Sequence, residues 1–112
     1  MHFNVKELVA LGERVSSKST IRVKVAAILI DKRTGKVVAT GYNRLGTKNR
    51  NGRHSTHAEV DALRKVYKPS RNLVMMLYRK NGGLITPCNG CKAWIKAYGI
   101  KRVFRITETL VH

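Results

Sequence analysis

Four side chains have types and spacing that suit metal binding and proton transfer: His57, Glu59, Cys88 and Cys91. Cys88 and Cys91 stand three positions apart in Cys88-Asn89-Gly90-Cys91. That is the spacing of a metal pair or a redox motif, not of a structural crosslink. If they open a helix, positions i and i+3 share one face and both sulfurs reach one ion. The unpaired N–H groups and the dipole at a helix start favour thiolates, the form that binds metal. His57 also opens a helical stretch, so its ring can turn to the same spot. Two sulfurs and one imidazole make three protein ligands. They leave a fourth position for water, which is the catalytic zinc pattern rather than the structural one. Glu59, two positions on, is off the helical face that would make it a fourth ligand, yet within reach of a water held there. Zinc brings the pKa of such a water towards neutrality, and a nearby carboxylate can take its proton and pass it on. Spacing alone points to metal-assisted hydrolysis.

The elements that must position these residues follow from periodicity. Val5, Leu8, Val9 and Leu11 predict an amphipathic helix over 4–16. Residues 21–30 (IRVKVAAILI) begin in alternation and end as a continuous apolar run, a strand entering the middle of a sheet. Asp31 to Gly35 is a turn, and Lys36 to Gly41 is the returning strand of a hairpin. Residues 43–56 are polar, lack a period and read as a long loop, a place where function often resides. A helix is expected over 57–67, stopped by Pro69, then a buried strand over 73–78. Pro87 precedes a helix over 88–98 that Gly99 ends, and 101–106 form the last strand. This order predicts a three-layer α/β/α fold, one sheet with helices on both faces and parallel crossovers.

His57-Ala58-Glu59 followed by Pro87-Cys88-Asn89-Gly90-Cys91 resembles the signature of the zinc-dependent cytidine, deoxycytidylate and tRNA-adenosine deaminases. The order of elements extends the likeness over nearly the whole chain. The surroundings, and Gly99 to Val103, are most similar to compact deoxycytidylate-type and virus-encoded members. The resemblance implies that His57, Cys88 and Cys91 hold Zn2+ and that Glu59 is the proton shuttle. It implies that the backbone N–H groups of Ala58 and Cys88, with Pro87, border the water or the base, and that Asn43 bonds the sugar or base. It implies hydrolysis of cytosine to uracil, with adenine open as the base. The chain ends soon after its fourth strand, where many members add a fifth strand and further helices. A second copy of the chain, in a homo-oligomer, or the substrate itself is then expected to complete the pocket.

Composition narrows the partners. A chain of 112 residues with 43% hydrophobic residues predicts one catalytic domain over 1–112 with a modest core. Lys and Arg total 23 against 6 Asp and Glu, a net charge of +17, which favours a polyanionic partner. Arg44, Lys48, Arg50 and Arg53 before His57, and Arg79 and Lys80 before Pro87, are expected to rim the pocket and meet phosphates, with His54 a loop residue near the substrate; a generally solvated basic surface is the other reading of these charges. Lys92, Lys96, Lys101, Arg102 and Arg105 extend the charge along a face that could follow a strand. The substrate is then cytosine in single-stranded nucleic acid, or alternatively free cytidine or deoxycytidylate. The N-terminus has scattered charges and no signal-peptide core, and no apolar run could span a bilayer. With two closely spaced cysteines, a reducing, cytoplasmic setting is expected, with a nucleus or a virus-infected cell also open.

Rival readings attach to the same residues. A redox pair fits poorly, because such motifs follow the first strand of a βαβ unit and this one comes late. A structural zinc site would add His54 to His57, Cys88 and Cys91, making a non-catalytic nucleic-acid-binding module; it leaves Glu59 and Pro87 without a role. Taken singly, Asn43 could close a turn, Asp61, Arg64 and Lys65 could be solvated helix residues, Met75 and Met76 core, and Trp94 packing.

Overall fold

The computed structural model describes residues 4–49, 52–66, 72–80 and 87–106, of which 45–49 and 52–55 are described as backbone alone. Helix α1 runs Val5–Ser16, and Asn4 caps it by accepting from the Glu7 N–H at 3.1 Å. Strand β1 (Val25–Asp31) returns as β2 (Lys36–Tyr42) through a turn in which Gly35 takes φ 72°, the left-handed region that glycine tolerates. The Asp31 carboxylate accepts from the Arg33 N–H at 2.8 Å in the same turn. Strands β3 (Arg44–Asn49) and β4 (Gly52–Thr56) follow, then α2 (Ala58–Leu63), β5 (Leu73–Arg79), α3 (Asn89–Ala97) and β6 (Val103–Ile106).

Among the described residues the main sheet has the order β2-β1-β5-β6. β1 is antiparallel to both β2 and β5, and β5 is parallel to β6. The connection through α2 therefore passes over β1 to reach a strand running the same way as β2. β1 and β5 occupy the middle, and each buries six consecutive residues, which explains their unbroken apolar runs.

The pleat divides this burial into two cores. Val25, Ala27 and Leu29, with Leu73, Met75 and Leu77, pack against Ala58, Ala62 and Leu63 of α2 and Ile95 of α3. Ala26, Ile28 and Ile30, with Val74, Met76 and Tyr78, pack against Leu8 and Val15 of α1. α1 thus covers one face while α2 and α3 cover the other, the expected three layers. Met75 and Met76 are both fully buried, on opposite faces.

Residues 43–56 depart from the expected loop. β3 and β4 form a separate two-stranded antiparallel sheet, with Arg44 opposite Thr56 and Asn49 opposite Gly52. Backbone pairing across a short connection needs no apolar period, so periodicity had nothing to register there. α2 is also shorter than the expected 57–67: it ends at Leu63 with Arg64 as its C-cap. Pro69 lies outside the described residues.

Gly41 shows how closely α2 sits on the sheet. A Cβ there would fall onto the carbonyl oxygen of Ala58 and the amide nitrogen of Ala62, both backbone atoms that cannot swing aside. Gly41→Ala should therefore destabilise the fold by about 1–3 kcal/mol or more. It should also weaken zinc binding, because it pushes the start of α2 away from the sheet. Denaturant unfolding and a zinc titration of the variant check this, and wild-type values in both would contradict it.

Candidate metal centre and active site

β2, β5 and β6 run parallel, and α2 and α3 begin beyond the ends of β4 and β5, on one face of the sheet. His57 is the N-cap of α2, and its ring makes no capping hydrogen bond, so it is free to face another partner. Cys88 is the N-cap of α3, and its sulfur accepts from the Cys91 N–H at 3.4 Å. Cys91 lies one turn into the helix and is buried, whereas His57 and Cys88 are exposed.

The two helix starts meet. Nδ1 of His57 lies 3.0 Å from Sγ of Cys91 and 3.4 Å from Sγ of Cys88. All three donor atoms lie within 4.8 Å of one another. A tetrahedral zinc with bonds of about 2.0 Å to nitrogen and 2.3 Å to sulfur holds its ligand atoms roughly 3.5–3.8 Å apart. Two sulfurs and an imidazole nitrogen fit Zn2+ in donor type, and both nitrogen–sulfur separations lie within about 0.5 Å of that geometry. Among the described residues they are the one such cluster. His54 and Arg53 fall on β4, with side chains outside the described residues, and Arg50 lies outside them altogether.

The two thiols differ in character. The Cys91 amide bonding to its sulfur pulls the Cys88 thiol below its ordinary pKa, and the Gly90 amide adds to this. Burial pushes the Cys91 thiol far up, and the negative charge of Glu59 adds to this. Glu59 is 6% exposed, and its charge acts on both thiols. A buried carboxylate is costly unless it has a partner, and here it lies near the two thiols.

Asp61 does not sit on a solvated helix face as expected. It is 1% exposed, accepts from the Tyr42 N–H at 3.1 Å, and pairs with Arg44 at 2.7 Å and Lys65 at 3.6 Å. It ties α2 to the end of β2 and the start of β3, so it fixes where α2 begins. Periodicity could have flagged it: position 61 lies on the side of α2 that also carries Ala58 and Ala62.

The remaining expected contacts are spread around the centre. The first-turn N–H groups of α2, including that of Ala58, have no partner within the helix. Pro87 is buried immediately before Cys88. The Asn43 side chain is engaged by backbone: its oxygen accepts from the Val25 N–H at 2.9 Å and its nitrogen donates to the Val23 carbonyl at 2.5 Å. Arg79 is half-buried and pairs in register with Val25, so it flanks the start of β1 on the side away from Asn43. A hollow of about 310 Å³ beside the donors is lined by His57, Val60, Arg64, Cys88, Cys91 and Trp94, among others. Trp94 is 40% exposed there and is not part of the core, contrary to the packing role expected of it.

The family described as the cytidine and deoxycytidylate deaminase zinc-binding region matches residues 4–107. The chain belongs to this deaminase family. Solved structures agree on the fold. The deaminase is similar to cytidine deaminase from Burkholderia pseudomallei, with 21% identity and a TM-score of 0.72 over 98% of this chain and 91% of that one. A glutamate-to-glutamine mutant of the Mycobacterium tuberculosis cytidine deaminase aligns with 15% identity and a TM-score of 0.68, covering 99% of this chain and 91% of that one. The Mycobacterium leprae cytidine deaminase aligns with 16% identity and a TM-score of 0.63, covering 99% and 93%. No curated protein matches the sequence. Among the described residues, no helix is long and apolar enough to cross a membrane. The deaminase is a zinc-dependent hydrolase by family, and its His-Cys-Cys group suits the metal.

Without zinc, a thiol reagent at neutral pH should label Cys88 well before Cys91. Cys88 is exposed with a lowered pKa, while Cys91 is buried and held protonated. Zinc should protect both. Because Cys91 must lose its proton to bind metal, zinc affinity should rise with pH from 6 to 8. Mass spectrometry of the labelled peptides and a competitive zinc titration check these points, and faster labelling of Cys91 would contradict the first.

Proposed function

We propose that this deaminase removes the amino group of cytosine in single-stranded nucleic acid, consuming one water and releasing uracil and ammonia, with residues 1–112 acting as one catalytic domain. The observation that supports the chemistry is the buried Glu59 carboxyl beside three clustered zinc-type donors. His57, Cys88 and Cys91 would hold the metal. When bound, zinc supplies Lewis acidity that lowers the pKa of water.

The rest falls to the chain's own groups. Glu59 accepts one proton from the attacking water and delivers it to the ring nitrogen beside the amino-bearing carbon; it then accepts the second from the hydroxyl so added and gives it to the amino group, which leaves as ammonia when the C–N bond breaks. Burial keeps its carboxylate from being spent on solvent. The free N–H groups at the start of α2, with Ala58 first, and the Cys88 backbone supply donors to the base, and Pro87 walls it. Asn43 and Arg79, with Arg53 and His54 from β4, take the sugar and phosphate; Asn43 would exchange one of its backbone bonds to do so. A second copy of the chain would supply the wall that exposed His57 and Cys88 lack.

The polymer is favoured over the monomer by the charge of +17 and by Arg64 and Trp94 lining the same hollow. A second reading, free cytidine or deoxycytidylate, is favoured by the solved neighbours, which are named cytidine deaminases.

Glu59→Gln should lower kcat by about 10²–10⁴-fold, the scale of general acid–base catalysis, while zinc content stays unchanged. Uracil release and metal analysis check it, and undiminished turnover removes Glu59 from the mechanism. In the wild type, uracil should form from a cytosine-containing oligonucleotide faster than from cytidine or deoxycytidylate. Product from the monomers alone supports the second reading. Salt-sensitive binding without product from any of the three points to a non-catalytic zinc module.

A further inference from the structure

Trp94 is held as though for a ligand. The indole is 40% exposed beside the zinc-type donors, although burial of such a large apolar ring would stabilise the fold. It lies one turn beyond Cys91 on the same side of α3, which brings it to the hollow. Two neighbours fix it in place. The Arg64 guanidinium stands 5.9 Å from the ring centroid. Tyr98 meets it edge to face, with centroids 6.2 Å apart and planes at 81°. An exposed ring already fixed loses little rotamer freedom on binding.

An indole of this kind stacks on any nucleobase. Arg64 beside it carries a planar fork suited to phosphate oxygens. The other flank of α3 is cationic too. Lys92 and Lys96 lie one turn apart on the helix, and with Lys101 and Arg105 they line a cleft of about 350 Å³ that reaches Pro87. An aromatic platform with a guanidinium beside it complements a polyanion carrying bases, and no simpler anion uses both parts.

We propose that the start of α3 is a single-strand-binding element in which Trp94 stacks on a base next to the target base, while Arg64 holds a flanking phosphate. A lone nucleotide has only the base that enters beside Glu59, so this shelf would distinguish a strand from a monomer. The inference rests on the polymer reading of the substrate and adds the surface that recognises it.

Trp94 is the single tryptophan of the chain, so intrinsic fluorescence reports on this position alone. The zinc-loaded protein is titrated with oligothymidylate, which has no amino group to lose, and with an abasic strand of the same length. Saturable quenching by oligothymidylate, with much weaker quenching by the abasic strand, is the expected result. Trp94→Ala should weaken oligothymidylate binding, read by anisotropy, by about tenfold, the scale of one stacked base. Trp94→Phe should recover part of it. Equal quenching by both strands, or binding without quenching, overturns the proposal. Uracil release from a cytosine-containing strand is measured in parallel. Quenching without uracil leaves the shelf standing and removes the polymer as substrate. Uracil without quenching does the reverse, and neither signal overturns both.

Discussion

The whole site depends on two helices beginning at the same place on one face of the sheet. His57 ends the extended chain before α2, and Cys88 does the same before α3, so both are caps rather than helix-interior residues. A cap is where backbone donors are left over, and those donors lower the energy of a thiolate. The sheet order makes the meeting possible. Because α2 crosses over β1 and α3 connects parallel neighbours, the two starts come to the same end of the sheet. Distance in sequence, 31 positions between His57 and Cys88, becomes 3.4 Å in space.

Such closeness demands small residues under α2. Gly41, Ala58 and Ala62 are what let the helix lie against β2. Asp61 then locks its angle by taking the Tyr42 amide and the Arg44 guanidinium at once. One short helix of six residues could not hold such a geometry through its own hydrogen bonds. Its position comes from packing and from this buried carboxylate. The two buried acidic residues among those described, Glu59 and Asp61, therefore divide the work: one faces the donors and the other anchors the element that carries it.

Much of this was legible before any coordinates. The apolar runs of β1 and β5 marked the centre of the sheet, and the helical stripe of α1 and the turn at Gly35 needed only local physics. The donor triad was legible because ligand chemistry restricts residue type and spacing together. What escaped was set by tertiary contact. β3 and β4 carry no apolar alternation, so nothing in their pattern distinguishes a ladder from a loop. Asp61 looks like any helix carboxylate until β2 and Arg44 are placed beside it. Trp94 has a type that favours burial, and only the path of α3 past the donors leaves it at the surface. Asn43 had two readings, and its amide is found bridging the backbone at Val23 and Val25.

The distribution of charge follows from the same architecture. With acidic residues few and two of them buried in α2, the surface is left overwhelmingly cationic. Arg44 and Lys65 are drawn to Asp61, and Lys80 to Glu13 and the Ser17 hydroxyl. The lysines of α3 contrast with these: Lys92 and Lys96 stand exposed along a cleft. Repulsion among like charges at the surface disfavours the compact state, and an anion that binds only the folded chain offsets it by mass action. A monophosphate would neutralise one or two positions near the metal. A strand would neutralise a row of them, along the same helix whose first turn holds both sulfurs.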